Sequence, residues 1–221
     1  MKLAMNALVK FTVGLLLVVL LLFLPAGSFA YPNGWLFLGI LFIPMLFLGI
    51  VLLIKAPKLL EKRLGAKEKE NTQKGVVALS GILFVGGFVV AGLDFRFGWS
   101  HVPVWVVSVS SAVLLISYML YAEVMRENAY LSRTVEVQKD QKVVDTGLYG
   151  IVRHPMYAVT LWLFLSIPLV LGSWWSLLCF APYILVIVIR IHNEEKVLEI
   201  GLEGYTDYKK RVKYRVLPFI W

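Results

Sequence analysis

Long apolar runs separated by shorter polar stretches set the pattern of this 221-residue chain. The runs cover residues 5–24, 34–54, 76–93, 102–121 and 156–189. About 20 helical residues cross the ~30 Å hydrocarbon layer of a bilayer. In that layer only helices or closed barrels satisfy their own backbone. No run alternates with the period of 2 that a barrel strand would show, so helices are expected. The last run is 34 residues long. As one straight helix it would measure ~51 Å, well beyond a bilayer. Gly172-Ser173 divides it near the middle, which predicts a helical hairpin with two short legs that carry Pro168 and Pro182. The expected fold is an all-α polytopic membrane bundle of about six helices. It forms a single membrane domain over 1–221, with four N-terminal spans in 1–121 and a region 122–221 that holds the hairpin 156–189 and a polar tail.

The polar stretches refine this map. Residues 55–74 read as a loop rich in lysine and glutamate. Residues 123–133 continue the fourth helix out of the membrane, and 134–138 alternate and read as extended. Asp145-Thr146-Gly147 is a turn, and the tail from Arg190 is helical until Pro218. Gly81, Gly86, Gly87 and Gly92 in the third run favour close helix approach. Lys2, Lys10 and Ser28-Phe29-Ala30 also fit the layout of a secretory signal and its cleavage site, a second reading of the first run.

Composition agrees. The chain is 59% hydrophobic and 16% charged, against about 25% charged in soluble domains. Mean hydropathy is +0.78. The formal charge is +8, which on a soluble protein points toward nucleic acid. Here position decides otherwise. With six spans, Arg96 is the only one of the 22 Lys and Arg residues that falls away from the side of the amino terminus. By the positive-inside rule that side is cytoplasmic, with both termini on it. The basic excess is then topological, with some attraction to anionic lipid, and no nucleic-acid partner is expected. The single cysteine, Cys179, excludes an internal disulfide and a cysteine-cluster metal site.

Two polar clusters flank the hairpin. Arg153-His154-Pro155 enters it and Arg190-Ile191-His192-Asn193-Glu194-Glu195 leaves it. If both legs cross, the clusters emerge side by side on one face. Pro155 suits the first turn of a helix. His154 then lies beside free N–H groups and the positive dipole end, which favour an anionic ligand group. Arg190 and Glu194 share a helix face, while Glu195 points roughly 100° away from Glu194. Singly, these residues have ordinary explanations: a snorkelling arginine, a surface ion pair, an aromatic belt. Their convergence on one hairpin points to a site. No nucleophile elbow, Gly-rich phosphate loop or paired-histidine zinc motif is present, and no metal site is expected.

Gly147-x-Tyr149-x-x-Val152-Arg153-His154-Pro155-x-Tyr157, then Arg190-x-x-x-Glu194-Glu195, then Tyr205-x-x-Tyr208 and Val212-x-Tyr214-Arg215-x-x-Pro218 resembles the isoprenylcysteine carboxyl methyltransferase family, which is grouped with the phospholipid methyltransferases. The resemblance covers roughly residues 126–221. It implies an integral membrane enzyme that uses S-adenosylmethionine bound in a cytoplasmic-side pocket over the hairpin. By motif position His154 and Tyr157 would contact the methionine end of the cofactor. Glu194 and Glu195 would complete the pocket, with Arg153 beside them, and Val144, Gly147 and Tyr149 would help enclose it. Arg190 falls where that family holds the substrate carboxylate, so Arg190 and Glu194 are the expected catalytic pair. The implied acceptor is a lipidic or prenylated molecule that enters sideways from the bilayer. The alternative readings are a phospholipid amine N-methyltransferase, an NADPH-dependent sterol-type reductase, and a non-enzymatic membrane scaffold.

Overall fold

A computed structural model describes residues 2–65, 71–132 and 135–221. These residues form helices α1 (Lys2–Ala26), α2 (Pro32–Lys55), α3 (Pro57–Leu64), α4 (Asn71–Phe97), α5 (Val104–Glu127), α6 (Pro155–Val170), α7 (Trp174–Phe180), α8 (Tyr183–Gly201) and α9 (Tyr205–Arg211), plus a 3₁₀ turn at Gly147–Gly150. No strand occurs among the described residues. Five segments are long and apolar enough to cross a membrane: α1, α2, Gly75–Phe97, α5, and Trp174–Gly201, which joins α7 and α8. The first leg of the hairpin, α6, is apolar but has only 16 residues.

Local chemistry places the boundaries. Proline begins α2, α3 and α6, where its missing N–H is no loss. The hairpin turns at Gly172, whose φ of 79° suits glycine. Ser173 then caps α7, its hydroxyl accepting the Ser176 N–H at 3.0 Å. Several expectations are corrected. The second leg is broken at Ala181-Pro182, because Pro182 has no N–H to continue α7. The stretch 55–74 is not all loop, since α3 lies within it and buries Leu59 and Leu60. The fourth long helix ends at Glu127, where Asn128 turns extended. The tail is helical only to Arg211 rather than to Pro218. Residues 135–138 are irregular. Thr134, and Lys67, Lys69 and Arg133 of the charge pattern, lie outside the described residues.

Leu22, Phe37, Leu114, Ile167 and Phe180 are fully buried in the main core. Two of the five glycines of α4 permit close approach. A Cβ on Gly92 would lie 2.5 Å from the Leu22 carbonyl, and one on Gly87 would overlap the Phe180 ring. Gly81 and Gly86 face open space instead.

The bundle has two chemically distinct ends. At one, the Asp94 carboxylate is buried and accepts from Ser100 N at 2.7 Å and from the hydroxyls of Ser100 and Ser173. The Tyr31 hydroxyl donates to the Leu171 carbonyl at 2.6 Å, and Trp174 Nε1 donates to the His101 carbonyl at 3.1 Å. Arg96 lies at this end, beside Gly27. At the other end Lys10 reaches the Leu64 carbonyl, and the two flanking clusters of the hairpin emerge together. The hairpin therefore folds back as its sequence required.

Candidate active site

The entry to α6 is held by the tail. Arg153 N–H donates to the Tyr214 carbonyl at 2.9 Å, and His154 N–H donates to the Arg215 carbonyl at 2.8 Å. The expected free N–H groups are thus mostly consumed: His154 and Tyr157 have partners, and Pro155 has no N–H. An anion site at this helix start is not available in the form the sequence suggested.

Beneath that contact sits a buried charge cluster. Arg153, His154 and Glu195 are 5%, 4% and 3% exposed. Glu195 Oε1 accepts from Arg153 Nε at 2.8 Å and lies 3.3 Å from His154 Nε2. Its Oε2 accepts from Arg215 Nε at 3.0 Å. Arg153 Nη1 donates to the carbonyls of Val212 and Lys213, at 2.7 and 2.8 Å. Both Glu195 oxygens thus have cationic or imidazole partners, as a buried carboxylate requires. Glu195 therefore faces the tail, and it is absent from the wall of the cavity described next.

Glu194, one residue earlier, faces the other way. It lines a cavity of about 1000 Å³ together with Arg153, His154, Tyr157, Arg190 and Tyr205. Arg190 Nε donates to the Tyr157 hydroxyl at 2.9 Å, and that hydroxyl donates to Glu194 Oε2. A cation and an anion are thus joined through one phenol at the polar end of the cavity. Val144 and Tyr149 line the same space. The Tyr149 hydroxyl accepts from Asn128 Nδ2 at 3.0 Å, and its carbonyl accepts from the Tyr208 hydroxyl at 2.7 Å. Gly147 stands behind the wall. Its φ is 55°, and a Cβ would overlap the Glu127 carboxylate, which accepts the Leu148 N–H at 2.9 Å.

Tyr205 adds the one unfilled valence. Among the described residues its hydroxyl is the only buried side-chain polar atom without a hydrogen-bond partner. Burial, followed by the negative charges of Glu195 and Glu194, holds that hydroxyl above the ordinary tyrosine range. It stays protonated near neutral pH and is available as a donor to something in the cavity.

Residues 105–201 match the phospholipid methyltransferase family. The matched stretch runs from the start of α5 to the end of α8 and covers a little under half of the chain. It contains Glu127, the 3₁₀ turn, His154, Tyr157, Arg190, Glu194 and Glu195, so the polar end of the cavity is built mostly within it. The fold has five segments long and apolar enough to cross a membrane, and the matched stretch is similar to a methyltransferase family. No curated protein matches the chain significantly.

Of the residues singled out in the sequence, Val144, Tyr149, Arg153, His154, Tyr157, Arg190 and Glu194 share the cavity wall, whereas Gly147 and Glu195 support it from behind. Sequence reasoning gives no role to Glu127 and Asn128, and it marks Arg215 and Tyr205 only as motif positions. Glu127 and Asn128 close α5, whereas the sequence predicts a helix continuing to residue 133. The Tyr205-x-x-Tyr208 spacing pointed to the place but not to which hydroxyl is left unpaired.

Proposed function

We propose that this protein transfers a methyl group from S-adenosylmethionine to a lipidic or prenylated acceptor, at the polar end of the cavity. The observation that carries the reading is the Arg190–Tyr157–Glu194 chain facing a cavity with an unpaired Tyr205 hydroxyl. The basic excess at this end of the bundle supports a cytoplasmic location. The donor set fits S-adenosylmethionine: a carboxylate for positive charge, phenol and imidazole donors for the amino-acid end, and apolar walls beside them. When bound, that cofactor supplies a methyl group activated on a positively charged sulfur. His154, Tyr157, Glu194 and Tyr205 would hold it, with Val144 and Tyr149 enclosing one side. Arg153 and Glu195 act as positioning residues that fix His154 and the α8 register.

For the acceptor, Arg190 favours a carboxylate, which a guanidinium holds by paired charge-assisted hydrogen bonds. A carboxylate oxygen needs no base, so the work left to these residues is alignment. Glu194 supports a second reading, an amine acceptor whose proton passes to that carboxylate.

The test titrates the purified protein with S-adenosylmethionine and with NADPH. It then measures transfer to a farnesylated cysteine and to phosphatidylethanolamine. His154→Ala and Glu194→Ala should each weaken methyl-donor binding roughly 10- to 100-fold, the size of a lost hydrogen bond to a charged group. Arg190→Ala should mainly slow transfer to the carboxylate acceptor. Saturable NADPH binding without methyl-donor binding would overturn the reading, and unchanged donor affinity in the first two variants would remove the pocket assignment.

A further inference from the structure

The cavity continues past its polar end into the bundle. It follows α6 by way of Leu163 to Ile167, and Val18, Met45 and Phe88 of α1, α2 and α4 also line it. From His154 to Ile167 a helix rises about 20 Å. Phe88 is the last residue of α4 on its wall. Behind that ring lie Phe37 and Phe180, at centroid distances of 5.7 and 5.9 Å. Neither lines the cavity, and both are fully buried. Phe180 can press in because Gly87 has no Cβ. Phe84 braces the group edge-on, 5.1 Å from Phe180 and 4.5 Å from Phe164. The end of the cavity is therefore a packed set of rings rather than one side chain free to swing away.

Val18, Met45 and Phe88 sit on α1, α2 and α4, outside the matched stretch 105–201. Resting on the methyltransferase reading above, we infer that Phe88 is the floor that limits the length of the acceptor's hydrocarbon chain. The occupant is a single alkyl or prenyl chain, because the arm is continuous with the polar site and its deep walls are apolar and aromatic. The N-terminal helices then set chain-length selectivity, while the matched region carries the transfer. Each added methylene that finds room strengthens binding about fourfold. A chain that meets a packed floor loses that gain, because overfilling a packed space is itself unfavourable.

The test assays the full-length enzyme in one detergent with S-adenosylmethionine and two acceptor series of graded length, N-acetyl-S-alkylcysteines and alkyl phosphoethanolamines. For the wild type, kcat/KM should climb about fourfold per carbon and then fall at a cutoff. Phe88→Leu should move the cutoff to longer chains and Phe88→Ala further still. Leu163→Phe, which narrows the arm, should move it to shorter chains and keeps the test intact if Phe88→Ala does not fold. A cutoff unmoved in active Phe88→Leu and Leu163→Phe enzymes overturns the floor while leaving methyl transfer standing. Failure of the wild type to methylate any member of either series overturns the functional reading and this inference with it.

Discussion

Replacing Glu195 separates a residue that holds the site from one that touches ligand. Glu195→Gln keeps the volume and one acceptor oxygen but removes the charge that faces Arg153, Arg215 and His154. Arg153 would stay buried without its counter-charge, keeping its bonds to the Val212 and Lys213 carbonyls. Breaking one side of a buried pair costs about 3–5 kcal/mol, and the retained carbonyl bonds put this case near the lower figure. For a chain of this size each kcal/mol moves the melting point by roughly 2–4 °C, so a drop of roughly 6–12 °C is expected. Tryptophan fluorescence during heating, in a fixed detergent, reads this directly. The drop should depend little on salt, because a buried pair is poorly screened. Arg153→Met combined with Glu195→Leu should recover part of the loss, since the buried Arg153 charge is then removed with its partner and only the partly exposed Arg215 loses its carboxylate. A melting point within ~2 °C of wild type, together with a collapse of methyl-donor affinity, would refute the assignment and make Glu195 a ligand group.

Two further predictions concern the pocket wall. Tyr205→Phe removes the unpaired buried hydroxyl, so the ligand-free protein should gain about 1 kcal/mol in thermal unfolding while donor affinity by calorimetry falls; lost stability with unchanged affinity would contradict the role given to that hydroxyl. Gly147→Ala forces a side chain into φ 55° and onto the Glu127 carboxylate, so a loss of at least ~1–2 kcal/mol is expected. Adding Glu127→Ala should make the two losses clearly less than additive in denaturation, whereas simple additivity would show that the clash is not what matters.

The hairpin was legible because its flanks are so polar and its interior so apolar. One glycine-serine pair stood where a turn had to be, and the fold-back then followed from the membrane alone. The site was legible down to its residue types but not to their orientations. The sequence shows that Glu194 and Glu195 face directions roughly 100° apart. Which one meets the cavity depends on where the tail docks, and that docking is made by backbone bonds from Arg153 and His154 to Tyr214 and Arg215. Carbonyl partners leave no side-chain pattern. The same limit hid the break at Ala181-Pro182, since membrane helices often tolerate proline. The aromatic floor was hidden because its rings come from α2, α4 and α7, whose register against one another no local spacing encodes.

The clasp around Asp94 bears on how the chain is assembled. A carboxylate buried at the membrane edge is costly until its partners arrive. Ser100 follows within six residues, but the other hydroxyl partner, Ser173, lies 79 residues further along the chain. During insertion α4 therefore waits with an incompletely satisfied acid until the tip of the hairpin reaches it. Settling of the hairpin tip is in this sense the closing step of bundle assembly. A chain interrupted before Ser173 would expose a marker of incompleteness at the end of the bundle farthest from the chemistry.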